Sequence, residues 1–390
     1  MPNCPYCFRG LDPLFSLYAC QNPGCDDVQD PVLGRYTGVF SGRAVAPAPP
    51  TGEGRKRRRA KGARCLVCAA DTRVEACLHC HRALPDGWAD VATTCVVMAG
   101  AVSSGKSIYI GVAKPEMEQL AAHMGVALGF YDAASAEAYQ QLYEAPLYEQ
   151  RGIMQSTRKA ANAEVAERTP LLFRLGSVDG RPHVLVIRDV AGEDLENRDI
   201  DPEAFGFFRH ADLVMFLFDP VRVPAIRQLL TGLVPEQKTL GGDPESVLDN
   251  LVRLLRYNRP PEQIVVPLAT VLSKFDTLQL LRNAQTSDWS RIMGNAGAAY
   301  QRDTSLDGPD FLPGDADLLQ AEVQSLIELL GGRSLLTRVE GDFATWRLFA
   351  VSALGAPPSG SRLHVSGIAP FRCLDPLKWV LARRGVLKVA

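Results

Sequence analysis

Apolar and polar positions change their rhythm near residue 91. Beyond that point, short apolar runs of strand length alternate with stretches whose apolar residues recur at helical spacing. The pattern predicts strands over 93–99, 171–176, 183–189, 211–219, 263–273 and 346–352. It predicts helices over 106–124, 247–257, 321–330 and 376–384. Pro115 should kink the first helix or shift its start. The stretch 132–166 reads as a helical insertion, and 284–314, rich in small and turn residues, as a surface insertion or disorder. In domain terms, insertions near 130–168 and 277–330 interrupt one unit over 91–390. Strands alternating with helices predict an α/β fold, a mainly parallel sheet sandwiched by helices. The turn at Asp179-Gly180 joins two strands as a hairpin, which predicts a single antiparallel edge strand. Ligands of such sheets bind at the carboxyl ends of the strands.

Before residue 91 the rhythm is absent. Residues 1–30 and 64–88 are short cysteine modules separated by a Pro-, Gly- and charge-rich linker over 41–63. That linker composition cannot bury a core. Eight of the ten cysteines lie here: Cys4, Cys7, Cys20, Cys25, Cys65, Cys68, Cys77 and Cys80. No secretory signal opens the chain and no apolar run approaches the ~20 residues of a membrane span, so a cytoplasmic protein without a membrane segment is expected. In that setting paired cysteines point to zinc rather than disulfides. Cys4, Cys7, Cys20 and Cys25 are expected to hold one ion, and Cys65, Cys68, Cys77 and Cys80 a second, both structural because four thiolates complete a tetrahedral set. Cys95 and Cys373 read as packing residues. The net charge of −2 excludes a polyelectrolyte. The run from Arg55 to Arg59, with Lys61, can contact nucleic-acid phosphates, against the plainer reading of a solvated linker.

The candidate chemistry starts at residues 100–107: Gly100, Ala101, Val102, Ser103, Ser104, Gly105, Lys106 and Ser107. They fit G-x-x-x-x-G-K-[ST], with a strand before and a helix after. Backbone N–H groups of such a loop and the following helix N-terminus cradle phosphates. Lys106 would reach the β and γ phosphates and Ser107 would ligate Mg²⁺. Asp189 ends an apolar strand and can hold Mg²⁺ directly or through water; Gly192 follows and could offer its N–H to the γ-phosphate. Ser273, Lys274 and Asp276 follow another apolar strand. A carboxylate there can accept two hydrogen bonds from guanine, which adenine cannot donate, while the Lys274 stem covers the base. Ser352 and Ala353 follow the last strand, where the Ala353 N–H would approach guanine O6.

These four ordered motifs resemble a P-loop GTPase of the Ras-like and translation-factor superclass over about 93–385. The resemblance implies a Mg²⁺–GTP switch, with GTP or GDP held by the residues above. It implies a first-switch threonine that senses Mg²⁺ and the γ-phosphate: Thr169, with Thr157 as the alternative. Two departures stand out. Ser273 replaces the usual Asn or Thr, and Glu193 takes the place where Ras-like members often have a water-orienting Gln. An ionised carboxylate near the γ-phosphate is repelled, so intrinsic hydrolysis is expected to be slow and to need a partner. Tandem ribbons before a GTPase are similar to the bacterial double-GTPase proteins of multi-component conflict systems, which implies a GTPase-activating partner or a second GTPase subunit, and a protein partner on the ribbons. The competing readings are a nucleic-acid-binding module with a structural nucleotide, and an ATP-dependent P-loop enzyme.

Overall fold

A computed structural model describes residues 2–152, 169–234, 242–260, 262–283, 287–358 and 362–390. The N-terminal part builds a three-stranded antiparallel sheet from β1 (Ser16–Ala19), β4 (Val45–Ala48) and β7 (Val74–Ala76), in the order β4-β1-β7. Two small ladders flank it: β2 (Val28–Gln29) with β3 (Ser41–Gly42), and β5 (Ala63–Arg64) with β6 (Asp71–Thr72). This corrects the linker reading of 41–63. β4 belongs to that stretch and takes an edge of the sheet, where Pro47 lacks no ladder donor that matters. Arg59 is also committed, to Ser16 Oγ and to Glu75 at 3.4 Å.

The main sheet holds β8 (Ala92–Gly100), β9 (Leu128–Phe130), β10 (Leu171–Val178), β11 (Arg181–Arg188), β12 (Leu213–Phe218), β13 (Leu268–Leu272) and β14 (Trp346–Ala350). Their order is β14-β13-β12-β8-β11-β10-β9. Five strands, β14 through β11 in that order, run parallel, as expected of an α/β sheet. The β10–β11 hairpin turns at Asp179 and Gly180, both at positive φ, the geometry of a type I′ turn. The expected single antiparallel edge strand becomes two, because β9 pairs antiparallel with β10. At three residues, β9 is too short to show a period of two.

Successive residues of β8 face opposite sides. Cys95, Val97 and Ala99 join one core with the helix Pro244–Arg256; Val96 and Met98 join the other with the helices Lys106–His123 and Asp375–Arg383. Lys106–His123 contains Pro115 as an interior residue. Cys95 and Cys373 are fully buried, consistent with packing. The stretch expected as a surface insertion or disorder is tied down where it is described. Ala298, Ala299 and Tyr300 are buried, Tyr300 meets Phe275 edge-on at 5.8 Å, and the Arg372 backbone N–H donates to Asp303 at 2.6 Å. Small and turn residues there serve close packing against Arg372, whose guanidinium also pairs with Asp315 at 2.8 Å and Asp375 at 2.7 Å. In the other insertion, the helix Ala133–Tyr139 runs on into a π-helical stretch, Gln140–Glu149. Among the described residues no helix is long and apolar enough to cross a membrane.

Candidate nucleotide and metal sites

Parallel strands bring their carboxyl ends to one edge, and the motifs gather there. Gly100 ends β8 at φ 143°, where an added Cβ would lie 2.7 Å from the Leu217 carbonyl oxygen of β12. Only glycine lets the chain turn away from the sheet at that spot. The loop then enters the helix at Lys106. Lys106 is buried, and its ammonium donates to the carbonyls of Gly100 and Ala101, both at 2.9 Å. Burial lowers its pKa to about 8, against the raising effect of Asp189 and Glu196. The Ser107 hydroxyl donates to Asp189 Oδ2 at 2.8 Å. Two of the residues expected to serve Mg²⁺ are therefore adjacent, and a hydroxyl beside a carboxylate is an oxygen donor set that suits this ion.

Gly192 touches the loop directly. A Cβ on it would fall 2.3 Å from the Val102 nitrogen and 2.5 Å from the Ala101 carbonyl carbon. Glu193 follows in the same short helix, Gly192–Glu196, and is half-buried. Leu171 of β10 lies opposite Ile187 of β11, so the entry to β10, with Thr169, lies at the carboxyl end of β11, as Asp189 does. Thr157 lies outside the described residues.

At the end of β13, Ser273 donates to the Phe218 carbonyl at 3.1 Å, and Lys274, at φ 50°, pairs with Asp219 at 2.7 Å. Asp276 is buried and accepts the Ser352 hydroxyl at 2.6 Å. Burial pushes its carboxyl above the ordinary value, and Ser352 opposes that shift. Ser352 also accepts the Gly355 N–H at 2.9 Å, which shapes the turn carrying Ala353. The structure thus joins Asp276 to Ser352 across 76 residues, and both lie on the strand edge that bears the phosphate loop. Three residues of this edge stand outside the predicted motifs: Glu196, Asp219 and Arg222. Asp219 ends the apolar run of β12, a visible signal; Glu196 and Arg222 belong to no spaced motif.

The cysteines pair otherwise than expected. Cys4 and Cys7 meet Cys77 and Cys80; Cys20 and Cys25 meet Cys65 and Cys68. The two modules are interleaved, because β1 binds β7 and carries the first cysteine pairs to the second. Three of the four pairs share one local fold. The N–H of Tyr6, Val67 and His79 reaches back to the first sulfur of its pair at 3.3–3.4 Å. The residue after each second cysteine, Phe8, Ala69 or His81, takes positive φ. Paired Sγ atoms lie 3.7 Å apart for Cys4–Cys80 and Cys7–Cys77, and 3.7 and 3.8 Å for Cys20–Cys68 and Cys25–Cys65. A tetrahedron with Zn–S of about 2.3 Å has an edge of about 3.8 Å. Both clusters can therefore hold zinc.

A relative from Mycolicibacterium smegmatis, "Putative ESX-1 scaffolding and assembly protein SaeC", is 42% identical over 403 residues, covering 99% of this chain and 100% of its own length. The chain belongs to the SaeC family. No protein-family model matches the chain. Among solved structures, the Arl6 BBS3 small GTPase from Trypanosoma brucei is 12% identical, covers 75% of this chain and 98% of its own, and has a TM-score of 0.29. The GTPase-like domain of S. cerevisiae Ski7, bound to GTP, is 10% identical over 75% of this chain and 50% of its own, with a TM-score of 0.34. At these scores the likenesses carry no argument, and the fold described above stands on strand order and loop geometry. The name of the SaeC-family relative refers to scaffolding and assembly and lends nothing to the expected tie with conflict systems.

Proposed function

We propose that this SaeC-family chain binds GTP with Mg²⁺ and uses the nucleotide to control assembly with protein partners. One observation carries the reading: a buried carboxylate, Asp276, and a glycine-turned phosphate loop with a buried lysine lie on one edge of one sheet. Lys106 and the loop amides would take the phosphates, Ser107 and Asp189 the Mg²⁺ with Thr169 joining them, and Asp276 with Ala353 the guanine. Hydrolysis is slow without a partner, since Glu193 brings a carboxylate rather than an amide to the γ-phosphate side. Zinc at both clusters is structural. The cluster of Cys20, Cys25, Cys65 and Cys68 recruits a partner: Leu66 and Val67, between two of its cysteines, are 75% and 49% exposed. The family relative's name, with its scaffolding and assembly, supports a role exercised through partners.

Competition among GTP, ATP and XTP for wild type and Asp276→Asn tests the base assignment. Wild type is expected to prefer GTP. Asp276→Asn should lose about a hundredfold in GTP affinity, since about 1.5–3 kcal/mol attaches to each hydrogen bond to a charged group. The same variant should gain XTP, whose 2-oxo group the new amide can serve. Equal binding of ATP and GTP by wild type would sink the reading.

A further inference from the structure

The mouth of the phosphate loop carries its own anion and its own cation. Glu196 Oε1 accepts the N–H groups of Val102 and Gly242, both at 2.8 Å. Arg222 serves the carbonyls of the same two residues, Nη2 donating to Val102 and Nη1 to Gly242 at 3.3 Å. One carboxylate takes both amides and one guanidinium takes both carbonyls, so the segment at Gly242 is latched to the loop. Arg222 has a side chain only 4% exposed, and among the described residues its Nε has no hydrogen-bond partner, lying 3.6 Å from Asp219 Oδ2. The same Asp219 oxygen holds Lys274 at 2.7 Å, so a single buried carboxylate joins the base-side lysine to the loop-side arginine.

An amide of a phosphate loop and a buried guanidinium are groups that bind phosphate oxygens. A carboxylate seated on that amide, with the guanidinium on the carbonyls of the same two residues, stands where a ligand anion would sit. We infer that Glu196 plugs the mouth of the loop, and that the terminal phosphate of a nucleoside triphosphate displaces it and takes Arg222 as its counter-cation. The inference rests on the nucleotide reading above and adds a specificity device to it. A diphosphate ends short of the mouth and leaves the Glu196 latch closed. A triphosphate must open it, and recovers that loss only through Arg222. Asp219 acts here as a positioning residue, aiming the guanidinium while it anchors Lys274.

The test measures affinity of the full chain for GDP and for a non-hydrolysable GTP analogue, in wild type, Glu196→Ala, Arg222→Gln and Arg222→Lys. Glu196→Ala should tighten the triphosphate analogue about fivefold or more relative to GDP. Arg222→Gln should weaken the analogue about tenfold or more, the size expected for one charge-assisted hydrogen bond, with GDP changed less than about threefold. Arg222→Lys, which keeps the charge and loses the fork, should fall between. If Arg222→Gln melts well below wild type, the Glu196→Ala ratio decides alone. Variants that move both nucleotides together, or neither, overturn the inference while leaving the nucleotide reading intact. A wild-type chain that binds neither nucleotide overturns both.

Discussion

Cys77→Ser is expected to release zinc from the inner cluster, to lower the thermal midpoint of the whole chain, and to weaken nucleotide binding; Cys65→Ser is expected to empty only the outer cluster. The clusters share a ligand type but not a setting. Cys4, Cys7, Cys77 and Cys80 are all 0–1% exposed and belong to the larger core, with Trp88, Val97, Phe207 and Phe208. Cys20, Cys25 and Cys65 form a small cluster of their own with Ala44. The inner cluster is also wired to the strands that end at the motif-bearing edge. The Asn3 N–H donates to Thr93 of β8 at 2.9 Å, and the Trp88 indole donates to the Asn3 carbonyl at 2.8 Å. Arg188, the last residue of β11 and the neighbour of Asp189, donates to the Tyr6 carbonyl at 2.6 Å and lies 3.7 Å over the Phe207 ring. Structural zinc sites contribute about 10–16 kcal/mol of apparent binding free energy in small folds. A whole domain has only about 5–15 kcal/mol of net stability. Losing the inner ion therefore removes a term as large as the margin. Metal content, melting curves and nucleotide titration on the two variants check this, and a Cys77→Ser chain that melts and binds like wild type would refute it.

The contrast between clusters marks the limit of what spacing can tell. The three C-x2-C pairs announce knuckle halves, because a tight turn between two cysteines needs only local sequence. Which halves meet depends on β1 lying between β4 and β7, and strands of three or four residues leave no period to read. The same limit explains β4 and Pro47 inside a stretch that composition assigns to a linker. In the α/β part the reverse holds. β8, β12 and β13 are buried along nearly their whole length and so stand out as apolar runs, and the loop at 100–107 and the Ser273–Asp276 motif follow two of them. A parallel sheet then brings the motifs to one edge by construction, which is why the Asp276 and Ser352 motifs could be placed together from the sequence, though their mutual hydrogen bond could not. Glu196 and Arg222 were not, because their roles depend on tertiary approach to Val102 and Gly242 rather than on spacing from a glycine.

Lys106→Met is expected to reduce guanine nucleotide affinity about a thousandfold, because removing one partner of a buried charged contact costs about 3–5 kcal/mol. The pH dependence of the wild-type chain tests the same residue without changing it. Burial lowers the Lys106 pKa to about 8, while the unfolded chain holds that proton up to about 10.5. Between these values the unfolded chain binds more protons than the folded one, so stability of the nucleotide-free protein rises with pH across that window. Below pH 8 both states hold the proton and the penalty of burying the ammonium is present in full. A phosphate beside Nζ favours the charged form and raises the pKa again. Binding near pH 8.5 should therefore take up part of a proton, and affinity should fall as pH rises through 8 and beyond. Calorimetry in two buffers of different ionisation heat reads the uptake directly. Uptake at pH 8.5 that shrinks towards pH 7 places the buried ammonium against the phosphates, whereas heats independent of buffer at both pH values would show that Lys106 does not meet the nucleotide.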